Sequence, residues 1–168
     1  MSILSTYFID FLFIFFTILE KFKNLIGSNV KLYKHPERKY ENGIVSGKIF
    51  SIQINKTEIV RDLMKIGLEP NKSMDMKFPD LPKDFKRHFI RGLWDGDGSI
   101  RVTNRTKNNV YWRCDYVCGS KVFIDTLMRT LEDIGIKDIR LYVPPNANAY
   151  YLIVELRAIP ILFDYLYF

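Results

Sequence analysis

The chain has little of what small secreted or metal-clustered proteins depend on. Its 168 residues include two cysteines and two histidines. Two cysteines cannot build a disulfide scaffold, and a reduced intracellular setting is the expectation. Cys114 and Cys118 have no histidine near them in sequence, so they read as core residues rather than zinc ligands. His35 and His88 stand alone and receive no role. No secretory signal is expected from the N-terminal run, which has neither a basic start nor a small-residue cleavage site. Acidic residues are in the minority, 19 against 25 Lys plus Arg, and the net charge of +6 suits a polyanionic partner. Hydrophobic residues make up 48% and charged residues 26%, which excludes disorder and collagen-like repetition.

The longest apolar run is residues 3–19, ILSTYFIDFLFIFFTIL. It is shorter than the ~20 residues a membrane helix needs. Asp10 also places a charge in its middle. The expectation is an apolar helix packed on the domain, or a segment whose natural partner is elsewhere, with a membrane role disfavoured.

Beyond that run the order of elements repeats. Leu19, Phe22, Leu25 and Ile26 have helical spacing and Gly27 closes them. Strands are expected at 30–33 and 48–54, then a helix after Asn55 closed by Gly67. Pro70, Pro79 and Pro82 punctuate a linker. Later, Ser120 caps a helix closed by Gly135, strands are expected at 139–143 and 150–156, and a helix ends the chain. IGSNVKLY (26–33) and IGIKDIRLY (134–142) match with one insertion. The second copy is preceded by a helix over 83–97 and strands at 99–105 and 109–118. The expected division is an apolar segment 1–16, a partial first repeat 17–68, a linker 69–82 and a second repeat 83–168.

Chemistry concentrates in FIRGLWDGDGSI (89–100). Gly92 and Gly96 fall on one face of a helix and permit close approach by another helix. Asp97 falls at that helix's C-terminal end, where the dipole disfavours a carboxylate and favours a cation beside it. Mg²⁺ takes oxygens from one or two carboxylates and from phosphates. Read as an EF-hand, the segment would put Leu93 and Asn104 at the two ends, where acids are required. A tight Asp-Gly turn would explain the glycines but not the apolar helix running into them. On the two strands, Ser99, Arg101, Thr103 and Arg105 share a face, as do Tyr111, Arg113 and Asp115. A hydrogen-bonding, basic ribbon of this kind suits the DNA major groove, and it is equally the pattern of an ordinary solvated sheet face. Lys31, Lys48, Lys137 and Arg140 are phosphate-binding candidates or plain surface charge.

IRGLWDGDG (90–98) resembles the signature of the LAGLIDADG homing endonucleases, and the resemblance extends over residues 17–168. It implies an α+β fold of αββαββα repeats with a saddle-shaped antiparallel sheet, the first repeat being incomplete. It implies site-specific hydrolysis of double-stranded DNA with Mg²⁺ or Mn²⁺. The localisation expected with it is the cytoplasm (nucleoid-associated) or an organellar matrix, not secretion. Asp97 matches the catalytic, metal-binding acid, with the Gly98 carbonyl assisting. Gly92, Gly96 and Asp95 match helix-interface positions. Lys72 matches a lysine near the active site of two-motif relatives, where it would stabilise charge or polarise water; as a residue it is also an ordinary linker lysine. The chain departs from the pattern in having one such motif, with no second DxDG. The expectation is therefore a second chain, by self-association or from a separately encoded first repeat, or a truncated form. The alternative function is a non-catalytic nucleic-acid binder, a regulator or an intron maturase.

Overall fold

A computed structural model describes residues 9–13, 16–68, 74–106 and 109–168, with backbone alone at 9–13, 103–106 and 109–110. Lys72, Lys107 and Asn108 lie outside the described residues. The chain divides into two compact units, 1–63 and 64–168.

The first unit runs β1 (Ile9–Phe13), α1 (Phe16–Leu25), β2 (Leu32–Lys34), β3 (Phe50–Ile54) and α2 (Thr57–Lys65, whose last turn crosses the unit boundary). Its sheet has the order β1-β3-β2, all antiparallel. Leu19, Ile52 and Ile54 are its buried core, with Phe22, Ile26, Val30 and Leu32 packed around them. The apolar 3–19 run is therefore not one helix: Ile9–Phe13 is a strand in register with Ile54–Phe50. An unbroken apolar run has no period to separate strand from helix. Ile and Phe favour a pleated surface, and β3 offers an unsatisfied edge for β1 to pair with.

α1 ends as its sequence predicts. Gly27 adopts φ 59°, its N–H bonds the Asn24 carbonyl, and the Ser28 N–H bonds the Lys23 carbonyl. That pair of bonds is the Schellman closure, which needs a left-handed residue.

The second unit runs α3 (Lys83–Asp97), β4 (Ser99–Thr106), β5 (Asn109–Cys118), α4 (Lys121–Asp133), β6 (Ile139–Tyr142), β7 (Tyr150–Glu155) and α5 (Ile159–Tyr167). The sheet order is β4-β5-β7-β6, again antiparallel throughout. Helices cover one face. Ile90 and Trp94 of α3, Phe123, Ile124, Leu127 and Leu131 of α4, and Leu162 and Leu166 of α5 meet Cys114, Tyr116, Cys118, Leu152 and Val154 of the sheet. Both thiols are buried, as alternation predicts. Ser120 Oγ caps α4 by accepting from the Phe123 N–H at 3.3 Å and donates to the Met76 carbonyl at 2.6 Å.

From β1 to α2 and from β5 to α5 the two units share one order of elements, and β3 and β7 each sit between the two strands that flank them. The second unit adds α3 and β4 in front. Among the described residues, no helix is long and apolar enough to cross a membrane.

Candidate nucleic-acid interface and catalytic acid

α3 is placed by its apolar stripe. Ile90 and Trp94 are buried, and the Trp94 indole N–H donates to Cys114 Sγ at 2.8 Å. Tilted ring contact with Tyr116 completes the seat. Burial pushes the Cys114 thiol and the Tyr116 phenol above their ordinary pKa values, so both stay protonated near neutrality.

The helix ends at Asp97, and Gly98 closes it by donating its N–H to the Trp94 carbonyl at 3.0 Å. Gly98 has no freedom to be anything larger. A Cβ there would lie 2.6 Å from the Trp94 carbonyl oxygen and 2.7 Å from its ring. The family resemblance implies a role for the Gly98 carbonyl; the steric requirement against Trp94 became visible only in three dimensions. Gly92 and Gly96 are the opposite case. They are exposed, and a Cβ at either would meet no described atom within 4 Å. The small-residue face of α3 is thus open among the described residues.

Asp97 is exposed at the negative end of the α3 dipole, with no basic residue in the last turn. Asp95 is also exposed and accepts a hydrogen bond from the Tyr167 hydroxyl near the end of α5. That bond raises the Tyr167 pKa. It ties the last turn of α3 to α5, a tie with no signal in the sequence. Among the described residues, no three His, Cys, Asp or Glu side chains come together in a way that could hold a metal ion. One carboxylate with a neighbouring carbonyl nevertheless fits a hard cation such as Mg²⁺ or Mn²⁺ when phosphate oxygens complete its shell.

Two residues beyond Asp97 the chain enters the polar face of the sheet. Ser99 pairs with Asp115, Arg101 with Arg113 and Thr103 with Tyr111 across β4 and β5. Arg101, Arg113 and Asp115 share one face, as alternation predicts. Asp115 is fully buried. Its Oδ2 accepts from Arg101 Nε at 2.5 Å and its Oδ1 from Arg113 Nε at 2.6 Å. Farther across, Arg113 faces Glu155 of β7, and Glu155 accepts from Arg140 Nε at 2.7 Å. The described charges on this face therefore alternate in sign instead of forming a uniformly basic patch. Arg105 belongs to β4 near a register shift between Asn104 and Thr106, where only the backbone is described. Lys48, just before β3, is exposed and belongs to the first unit; Lys31 and Lys137 are also exposed.

The other face of β4 is apolar but only partly covered. Ile100, Val102 and Trp112 are exposed. A cleft of about 370 Å³ opens beside Ile100, walled by Trp94, Gly98 and Cys114 and by Leu162, Phe163 and Tyr167 of α5.

Comparison with known proteins matches this geometry. None of the curated proteins matches the chain in sequence. Residues 84–159, from α3 to the start of α5, match the LAGLIDADG-like domain family. The fold is similar to that of the homing endonuclease I-WcaI bound to its DNA recognition sequence (TM-score 0.62, 15% identity, 98% of this chain and 72% of that one). It is similar to I-DmoI in complex with DNA and Mn (TM-score 0.58, 12% identity, 96% and 82%). It is equally similar to the N-terminal LAGLIDADG domain of DUF199/WhiA (TM-score 0.58, 14% identity, 99% and 73%). At these identities the likeness is one of fold. The segment that carries the Gly-rich helix and the four-stranded sheet is thus similar to the LAGLIDADG-like domain, and the fold is the one seen in these homing endonucleases.

Proposed function

We propose that the chain is a DNA endonuclease of the homing type that binds double-stranded DNA on the polar face of β4–β7 and hydrolyses a phosphodiester at Asp97. The observation that carries this reading is a single junction: α3 ends on an exposed carboxylate, and the next strand begins the face that presents Arg101 and Arg113. Arginine on such a face reads guanine edges and Thr103 suits a thymine methyl. Arg105 and Arg140 are assigned to phosphate contacts, as is Lys48 in the first unit.

Asp97 and the Gly98 carbonyl would hold Mg²⁺ or Mn²⁺, which when bound supplies Lewis-acid stabilisation of charge on the phosphate. The chain's own part is to fix the acid. Trp94, anchored on Cys114, and Gly98, packed on Trp94, set the height of Asp97 above the sheet edge. Tyr167 holds the same turn through Asp95. Lys72, outside the described residues, is assigned to charge stabilisation near the scissile phosphate. Cutting both strands takes two such acids, so the open Gly92–Gly96 face is assigned to a second motif helix, from a second copy or a separately encoded repeat.

A non-catalytic nucleic-acid binder is the second reading. It is favoured by the single DxDG motif, which leaves this sequence without a second motif helix to supply the other acid. Supercoiled-plasmid cleavage in Mg²⁺ or Mn²⁺ separates the two. The nuclease reading expects nicking or cutting by the wild type, none by Asp97→Asn, and DNA affinity within a few-fold for both. Equal activity of the two proteins refutes the assignment of Asp97, and binding without cutting by the wild type favours the binder.

A further inference from the structure

The polar face contains an arrangement that stability alone does not explain. Arg101 and Arg113 are direct cross-strand partners, and like charges set opposite each other weaken a sheet. The group that reconciles them is Asp115, whose side chain is 0% exposed while those of Arg101 and Arg113 are 49% and 17% exposed. A buried carboxylate flanked by two guanidiniums is a poor stabiliser compared with apolar side chains of similar volume. Here the apolar solution is at hand, because Asp115 faces the fully buried Ile153 across β5 and β7. What the acid supplies is direction. Each of its oxygens takes the Nε of a different arginine, so two long side chains are held in one geometry before any partner arrives. That lowers the ordering cost of binding and sets where the rest of each guanidinium fork points.

We propose that Asp115 is a positioning residue for sequence readout: its buried carboxylate orients Arg101 and Arg113 toward base edges and keeps them from serving as indiscriminate phosphate contacts. The proposal rests on the reading of this face as the DNA interface. It makes a prediction that a purely structural role does not. With Asp115 the three side chains sum to +1, and without its charge to +2. Removing the charge therefore strengthens attraction to any duplex while it degrades the choice among duplexes.

The test uses the full chain and two probes: a duplex selected by the wild type from a randomised pool, and unselected random duplex. Asp115→Asn is expected to bind random duplex at least as tightly as the wild type. Its salt slope should steepen by about one. Its preference for the selected duplex should fall about tenfold, the size of one good arginine–guanine contact. Unchanged preference and slope overturn the proposal, as does equal weakening on both probes. Should Asp115→Asn fail to fold, Arg101→Gln, Arg113→Gln and their combination decide. Losses of preference that are not additive support a shared anchor, and additive losses overturn it. A wild type without salt-sensitive duplex binding refutes the interface reading itself, and this proposal with it.

Discussion

From β1 to α2 and from β5 to α5 the chain lays down the same elements in the same order with the same strand neighbours, yet the two units are built to different depths. Among the described residues the first unit's core cluster is Leu19, Ile52 and Ile54, whereas the second's joins three helices to one sheet face. The difference lies in α3 and β4. β5 has β4 on one side and β7 on the other, while β1 pairs among the described residues with β3 alone. α3 then brings Ile90 and Trp94 onto the sheet. The elements that deepen the second core are the same ones that carry Asp97 and Arg101, so packing and proposed chemistry share one cause.

The largest effect that would break this comparison is in the cores. Leu127→Ala should cost the second unit about 2–5 kcal/mol, read as a fall in unfolding free energy. Residue-resolved amide exchange should show the first unit opening at lower free energy than α4 and β7, because its described core cluster is smaller. Equal protection in both units would remove the distinction.

The glycines of α3 come next, and they separate by sign. Gly98→Ala should destabilise by about 1–3 kcal/mol through overpacking against Trp94. Gly92→Ala and Gly96→Ala meet open space and should each stabilise an isolated chain by up to about 1 kcal/mol of helix propensity. If the open face seats a second helix, the same two changes should weaken association. Thermal melts with light scattering read both effects.

These contrasts also mark where the sequence was legible. α3 begins and ends where its apolar spacing and Gly98 place it, and Gly27 and Gly135 close α1 and α4 as C-terminal caps. Alternation places Arg101, Arg113 and Asp115 on one face. Alternation gives the face of a residue but not its depth, so the burial of Asp115 between two arginines went unread. The hairpin register could have signalled it, because that register sets Ser99 against Asp115 and Arg101 against Arg113. The Asp95–Tyr167 bond spans 72 residues and has no local pattern. The strand β1 went unread for a different reason, since its run of apolar residues carries no period.

A smaller effect tests the capping of α4. Ser120→Ala should cost about 1 kcal/mol or somewhat more, because it removes both the Phe123 cap and the bond to the Met76 carbonyl. Chemical denaturation resolves a change of that size.

The smallest effect is alkaline. Burial raises Cys114, Cys118 and Tyr116 in the folded second unit. The folded state thus holds these protons more tightly than the unfolded chain. The stability they contribute is complete below the ordinary thiol value of 9.0 and declines as pH rises past it toward the raised folded values. The first unit contains no cysteine, and Tyr33 and Tyr40 are exposed there. Its amide protection should fall less over the same alkaline range, with Cys118→Ala flattening the decline in the second unit.

The most direct test of the central claim, that the polar face of the second unit is the nucleic-acid interface, is an NMR titration of the Arg101 and Arg113 Nε–H resonances with duplex DNA. Both resonances should be slowed in exchange before DNA is added, because each donates to Asp115. Both should shift on titration in a salt-sensitive way, together with the backbone amides of β4 and β5. Shifts confined to the apolar outer side of α5, at Ile161 and Phe163, with the two arginines unmoved, would contradict the account.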